Sequence, residues 1–201
     1  MRTSEATLLG TLWHAEGGAR VLRAVVLAVV GSLLLWTSAK IQIPFWPVPM
    51  TMQTFAVLVI GMAYGWRLGG ATVLLYLAEG AVGLPVFAKG GGIAYFAGPT
   101  GGYLIAFAAS AALVGWLAER GWDRTVIRTL AAMVLGTVVI FLGGLAWLTP
   151  FLASAKGMSL AAALPVAVGA GVTPFLTAAV FKIALATAIL PLAWRAVERR
   201  R

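Results

Sequence analysis

Apolar runs of roughly twenty residues recur along this 201-residue chain, and each is long enough to cross the hydrocarbon core of a bilayer as a helix. Only 10% of the residues are charged, whereas a soluble domain carries roughly 25%. Prolines, glycines and arginines separate the runs from one another. The sequence therefore predicts an all-α membrane protein, with residues 1–201 forming a single integral membrane domain.

The residues that interrupt the apolar runs predict a compact bundle of six transmembrane helices. Three prolines in "IQIPFWPVP" end the first helix, and Thr51 is a suitable N-cap for the second. Residues 150–172 are apolar but broken by prolines and glycines, which favours a short interfacial or re-entrant segment. The six predicted spans cover residues 20–39, 51–65, 68–84, 100–119, 125–149 and 174–194.

The arginines predict the orientation of the bundle. Ten of the eleven flank span ends that lie on one side, and the remaining one, Arg2, lies in the N-terminal tail. Under the positive-inside rule that side is the cytoplasm, so we expect a protein of the bacterial cytoplasmic membrane with both termini on the cytoplasmic side. Three glycine- and proline-rich connections, at 40–50, 85–99 and 150–173, then lie outside. The net charge of +9 is thus a topology signal, and we expect contact with membrane lipid but not with nucleic acid.

The residue types that catalysis needs are scarce. The chain has no cysteine, which excludes thiolate metal sites and cysteine nucleophiles. Its single histidine, His14, lies in the N-terminal segment, and HExxH, Gly-x-Ser-x-Gly and GxxxxGK motifs are missing. We therefore expect a protein that is not an enzyme and that has neither a metal nor a cofactor.

Apart from residues in the terminal turns, two charged side chains lie within the predicted spans, Glu79 and Lys182. Charges at membrane depth are costly, so each is a candidate functional residue. Both are predicted in the outer half of the bilayer. In one interpretation they form a structural ion pair, or Lys182 extends to the surface; in the other, Lys182 receives the carboxylate of a small anionic ligand.

The segment "GGGIAYFAGPTGGY", residues 90–103, contains six glycines. Irregular backbone at membrane depth requires surrounding protein or a watery cavity. Thr100 can cap the next helix, whose first N–H groups suit a carbonyl oxygen or an anion. Loop geometry alone is the alternative explanation. The segment predicts the outer lip of a pocket, with candidate ligand-binding residues Lys89, Gly90, Tyr95, Thr100, Gly101, Gly102 and Tyr103.

Several of these residues also carry a resemblance to a known family. "KIQIPFWPVPMTMQTFAVLVIGMAYGWRLG" followed by "LYLAEGAVGLPVFAKGGGIAYFAGPTGGYLIAF" resembles the BioY family of biotin transporters, and "TPFLTAAVFKIALA" does so more loosely. The phrases PVPxTxQT, LPVF and GPTGGY in this order are specific to that family. On these motifs the chain is identified as a member of it, and Gln53, within the first phrase, joins the candidate binding residues.

The resemblance implies a substrate-binding S-component of an energy-coupling-factor (ECF) uptake system, with biotin as the transported ligand. It further implies a six-helix bundle, a biotin pocket near the outer face, and association with a transmembrane T-component and paired ATPases, although some members act alone. S-components meet that partner through small residues on the first helix, and Ala24-x-x-x-Ala28 fits this pattern. Small residues at this spacing are common in any pair of membrane helices.

One position departs from the family pattern. The last helix of the family commonly reads Gly-Asp-x-x-Lys, whereas this chain has Ala178, Ala179, Val180, Phe181 and Lys182. The lysine is kept and the aspartate is absent, which leaves open how the ureido N–H groups are accepted; Glu79 is one candidate. The alternatives are a carrier for another small carboxylate or vitamin, and a membrane scaffold subunit that binds no solute.

Overall fold

The computed structural model describes residues 7–13 and 17–198, and these are mostly helical. Arg2, His14 and the arginines at 199–201 lie outside the described residues. The α-helices are α1 Leu8–Leu12, α2 Gly18–Lys40, α3 Gln53–Tyr64, α4 Trp66–Ala81, α5 Gly101–Ala118, α6 Val126–Lys156, α7 Leu160–Gly171 and α8 Leu176–Glu198.

Four segments of the described chain are long and apolar enough to cross a membrane: Gly18–Lys40, Gly101–Ala118, Val126–Lys156 and Leu160–Val197. The last contains α7 and α8, separated by a short 3₁₀ turn at Thr173–Phe175. The predicted spans at 51–65 and 68–84 are shorter helices of 12 and 16 residues. The structure thus has the expected apolar helices, while two of the six predicted spans fall short of full membrane length.

The prediction was wrong where α6 ends. The helix passes through Pro150 and continues to Lys156, because a proline inside a helix removes one hydrogen bond without excluding continuation when neighbouring helices pack against it. Residues 160–171, predicted as an interfacial or re-entrant segment, form α7. The Ser159 hydroxyl caps this helix by accepting a hydrogen bond from the N–H of Ala162 at 3.3 Å.

Helix α5 lies at the centre of the molecule and packs against α3, α4 and α6. Glycines bring these helices together: a Cβ added at Gly61 of α3 would lie 2.5 Å from the Ala111 carbonyl oxygen of α5. Such close backbone approach between membrane helices depends on small residues at the contact. A single core cluster extends through the bundle and includes Leu35, Tyr76 and Met133.

Two irregular connections meet at the end of the bundle that the arginines avoid: the first is residues 41–52, between α2 and α3, and the second is residues 82–100, between α4 and α5. In the first, strand β1 (Gln42–Ile43) pairs antiparallel with strand β2 (Met50–Thr51). The ammonium of Lys40 donates to the carbonyl oxygens of Pro85 and Phe87 in the second connection, at 2.8 Å each. These bonds hold the two connections together over the ends of α2 and α4.

At the opposite end, the α5–α6 connection contains a fully buried carboxylate, Asp123. One oxygen accepts a hydrogen bond from the indole N–H of Trp194 on α8, and the other has no hydrogen-bond partner among the described residues. Burial raises the pKa of this carboxyl to about 6, against smaller opposing effects of the Trp194 bond and of Arg124. The contact fastens the last turns of α8 to the α5–α6 connection.

We predict that Asp123 makes stability depend on pH. Its folded pKa of about 6 lies above the ordinary value of 3.8, so the folded protein binds more protons between these pH values. The Asp123 contribution to the free energy of unfolding therefore rises as pH falls from 7 to 5. Thermal unfolding of the parent and of Asp123→Asn in detergent should show the amide variant more stable at pH 7.5, with the difference shrinking toward pH 5. A difference that stays constant or grows as pH falls contradicts this account.

Candidate functional site

A cavity of about 770 Å³, counted with its open mouth, lies under the two joined connections, between α3, α5, α6 and α8. Most of its surface is apolar, as is usual for small-molecule sites. The residues that line it are Val48, Pro49, Thr51, Gln53, Thr54, Leu58, Phe87, Ala88, Tyr95, Thr100, Tyr103, Leu104, Phe107, Thr137, Ile140, Phe141, Phe175, Ala179, Lys182 and Ile183.

Lys182 places a cation at the cavity wall. Its side chain is 9% exposed, and its ammonium donates to the Thr51 carbonyl oxygen at 2.5 Å and to the Thr54 hydroxyl at 3.0 Å. Neither partner carries a negative charge. A buried ammonium that is solvated only by neutral oxygens favours an anionic ligand, because the attraction between opposite charges is strong where water is excluded.

The helical period explains why Lys182 faces inward. Ala179, Lys182 and Ile183 lie three and four residues apart and line the cavity together. Val180 and Phe181 fall on the opposite face, where each is 68% exposed and thus available to lipid. Ala179, at the position where the family commonly has aspartate, therefore lies beside the lysine, and it contributes no carboxylate there.

Gln53 connects the cavity wall to the second connection. Its amide N–H donates to the Tyr76 hydroxyl at 2.8 Å, and this hydroxyl donates to the Val86 carbonyl oxygen at 2.9 Å. The amide oxygen accepts from the Thr51 hydroxyl at 3.0 Å. An amide has two donor hydrogens and two acceptor lone pairs, so Gln53 retains one donor and one acceptor for a ligand.

Aromatic rings form much of the remaining wall. Phe87 packs against Tyr95 at 4.9 Å between ring centroids and against Tyr76 at 5.5 Å. The Tyr103 hydroxyl donates to the Gly171 carbonyl oxygen at 2.9 Å, which joins α5 to the end of α7. A Cβ at Gly144 would collide with the Tyr103 ring, so the ring can occupy this position because residue 144 is glycine. These contacts build a largely apolar wall around Lys182.

Five of the predicted site residues line the cavity: Gln53, Tyr95, Thr100, Tyr103 and Lys182. Thr100 precedes α5 as predicted, but its side chain makes no capping hydrogen bond. The N–H of Gly101 is also occupied, since it donates to the Gly98 carbonyl oxygen at 3.2 Å. The interpretation of this helix start as a set of free donors for a ligand is therefore corrected at Gly101, whose N–H is paired within the protein.

The glycines among the predicted site residues, Gly90, Gly101 and Gly102, do not line the cavity. A Cβ at Gly101 would collide with the Phe96 carbonyl oxygen, and one at Gly102 would collide with Trp147 of α6. Both glycines thus allow close packing within the protein, and neither belongs to the cavity lining. Gly90 has a φ of +139° and its carbonyl oxygen accepts from the N–H of Phe87 at 2.9 Å, so it serves a turn.

The two other charged candidates also lie outside the cavity lining. Glu79 accepts a hydrogen bond from the Ser32 hydroxyl and so joins α4 to α2. The structure does not pair it with Lys182, and it does not replace the carboxylate absent at Ala179. Lys89 is exposed beside the cavity residue Ala88. Lys182 is consequently the cation in the lining.

Sequence reasoning missed other lining residues. Thr54 and Thr137 are polar residues within predicted spans, which is the signal that could have identified them. Phe107 lies four residues after Tyr103 on α5, a spacing that places both on one face. Ile140 and Phe141 carried no signal, because α6 is apolar around most of its circumference and its cavity-facing side does not stand out in the sequence.

We predict that Gly101→Ala lowers stability whether or not a ligand is present. The added methyl group must displace the Phe96 carbonyl, and overpacking of this kind costs about 1–3 kcal/mol. Gly169→Ala on α7 is the matched control, because a Cβ there meets nothing within 4 Å and alanine favours a helix by about 1 kcal/mol. Thermal unfolding of the ligand-free proteins measures both, and equal melting temperatures for Gly101→Ala and the parent contradict the packing role.

The fold and the cavity define a class: a helical protein with helices of membrane-spanning length and an open cavity around a buried lysine. The BioY family model matches residues 6–199. A protein named probable biotin transporter BioY from Pyrococcus horikoshii is 36% identical over 171 residues, which cover 84% of this chain and 95% of that protein. The chain belongs to the BioY family, and the sequence-based identification is confirmed.

Other comparisons agree. The protein named biotin transporter BioY from Rhizobium etli is 39% identical over 136 residues, 64% of this chain and 72% of that protein. A crystal structure of the S-component for biotin from an ECF-type ABC transporter superimposes with a TM-score of 0.70 and covers 90% of this chain and 95% of that one. At 22% identity this likeness concerns the fold.

Proposed function

We propose that the chain binds biotin in the Lys182 cavity and mediates its uptake, as an S-component of an ECF system or acting alone. The observation that carries this proposal is the buried ammonium of Lys182, which is solvated by neutral oxygens within an apolar enclosure. Biotin has a carboxylate for the lysine and an apolar chain and thioether ring for the aromatic walls. The names of the relatives support the same ligand.

The ureido group of biotin requires both donors and acceptors. With alanine at position 179, we assign the ureido N–H groups to neutral oxygens of the wall. Gln53 offers a free acceptor and a free donor, and the hydroxyls of Thr100 and Thr137 lie in the same lining. Neutral acceptors form weaker hydrogen bonds than a carboxylate does, so Ala179 is expected to lower affinity relative to members with aspartate.

Ala179 also supports a second candidate, a carrier for another small carboxylate. The lysine and the apolar walls suit any compact organic anion, whereas the ureido group is the feature that the family aspartate serves. The proposed contacts of Gln53 distinguish the two candidates, because only a ligand with paired donors and acceptors uses both free sites of the amide. The remaining alternative, a membrane scaffold subunit that binds no solute, does not explain the cavity around Lys182.

Removal of the lysine charge tests the ligand assignment. We predict that Lys182→Ala weakens biotin by roughly 10- to 150-fold, the loss of a charge-assisted hydrogen bond of about 1.5–3 kcal/mol, while biotinamide loses much less. Lys89→Ala is the control, since Lys89 is exposed and outside the lining. Calorimetric titration of each variant with the acid and the amide measures this, and equal losses for both ligands indicate a structural lysine.

For topology, we propose a single-domain bundle in which α3 and α4 act as short spans beside α2, α5, α6 and α8, so that both termini lie in the cytoplasm. The central position of α5 against α3 and α4 supports one bundle. The arginines near the described helix ends support the orientation: Arg20 lies in the first turn of α2, Arg67 in the first turn of α4, and Arg195 in the last turn of α8.

Because the chain contains no cysteine, single cysteines report the orientation without background labelling. We predict that Lys89→Cys reacts with an impermeant maleimide in intact cells, while Arg120→Cys reacts only after the membrane is opened. Both side chains are exposed in the structure. Labelling of both cysteines from the same side would contradict the proposed topology, in which α5 crosses the membrane between them.

The partners of such an S-component are a T-component and two ATPase subunits. We propose that α2 meets the T-component through the surface that contains Ala24 and Ala28, which are half-buried. Large apolar side chains surround them on α2, with Val25 and Val29 each about half exposed. A helix that leaves this much apolar surface uncovered is available to lipid or to another membrane helix.

A further inference from the structure

A second concave site lies between the first turns of α6 and the last turns of α8, on the arginine-rich side of the molecule. This groove has a volume of about 880 Å³, open space included. Val126 and Leu130 of α6 form one wall, Ala184, Ala188 and Pro191 of α8 form the floor, and Arg195 closes one end. The short side chains of the two alanines leave the space unfilled. The groove contains none of the residues that line the Lys182 cavity.

We propose that this groove binds one anionic phospholipid, with its phosphate on Arg195 and an acyl chain along the floor. Of the groove-lining residues that the structure describes, none is acidic, and Arg195 supplies a cation at one end of an otherwise apolar surface. Arginine binds phosphate oxygens with paired hydrogen bonds. The carboxylate of Asp123 accepts a hydrogen bond from Trp194 and does not belong to the groove lining.

Tryptophan–arginine pairs indicate where the lipid headgroups lie. Arg120 stacks on Trp116 at 3.4 Å from the ring centroid, and Arg124 stacks on Trp194 at 4.6 Å. Tryptophan concentrates at the level of the headgroups, and Arg195 follows Trp194 directly. From Arg195 to Ala184 the floor extends eleven residues along α8, about 16 Å, which matches the depth of one leaflet. A charged head followed by a long apolar chain thus fits this site better than a free anion does.

Thr187 gives the site a second polar point. Its hydroxyl is buried in the groove lining and has no hydrogen-bond partner among the described residues. Helical side chains lean toward the N-terminus, so the Arg195 guanidinium reaches about one turn toward Thr187. A phospholipid whose phosphate contacts Arg195 can therefore place an ester oxygen near the Thr187 hydroxyl. This arrangement satisfies a donor that is otherwise unpaired at membrane depth.

The test compares phosphatidylglycerol with phosphatidylcholine, each added to the purified full-length protein in detergent and scored by native mass spectrometry and melting temperature. The parent should retain phosphatidylglycerol preferentially and melt at a higher temperature with it. Arg195→Gln should weaken this retention by about tenfold or more, since a charge-assisted bond is lost. Ala188→Leu, which fills the floor, should weaken it similarly. Arg128→Gln is the matched control, an exposed arginine near the same end but outside the groove lining.

Four outcomes overturn the proposal: equal retention of the two lipids, equal loss in Arg128→Gln and Arg195→Gln, full retention by Ala188→Leu, or displacement of the lipid by soluble glycerol phosphate. Biotin titration of the same variants shows that each is folded and separates this site from the proposed transport site. Unchanged biotin binding with lost lipid retention supports two independent sites. The choice of leaflet rests on the proposed orientation, whereas the site itself does not.

Discussion

The buried ammonium of Lys182 is the interaction on which the rest of the site depends. It lies at the junction of α8 with the start of α3, where the Thr51 carbonyl and the Thr54 hydroxyl receive its hydrogen bonds. Uncompensated charge at this depth is costly, so these neutral oxygens must be held in place. The Thr51 hydroxyl in turn bonds Gln53, and Gln53 bonds Tyr76, which fixes the second connection at Val86. One chain of polar contacts thus links Lys182 to the second connection, which forms the roof of the cavity.

The roof is secured a second time from outside the cavity. Lys40, at the end of α2, donates to two carbonyl oxygens of the second connection, and Gln42 donates to a third, that of Ala88, at 3.0 Å. Irregular backbone is expensive near lipid unless its polar groups are paired within the protein. Lys40 and Lys182 therefore have different roles. Lys40 uses its charge to pair loop carbonyls, while Lys182 keeps its charge at the cavity wall, available to an anion.

Much of this arrangement could be predicted from the sequence, and the failures have physical causes. Apolar runs and arginine positions are strong signals, so most helix boundaries fall within a few residues of prediction, and Lys182 stands out as a charge in a span. The sequence did not reveal that Gly101 and Gly102 pack against other parts of the protein, because a glycine near a helix start has the same appearance whether it admits a ligand or a neighbouring segment. The sequence also did not reveal the partner of Glu79, because Ser32 lies 47 residues away on α2 and no local pattern connects the two.

Calorimetric titration of the purified protein with biotin, repeated with lipoate and thiamine as competitors, tests the central claim most directly. The account predicts saturable binding of biotin at one site per chain. Lipoate, which has the carboxylate but no ureido group, should compete weakly, and thiamine, a cation, should not compete because Lys182 repels it. Absence of biotin binding, or competition by thiamine at least as strong as that by lipoate, would contradict a site organised around the Lys182 ammonium.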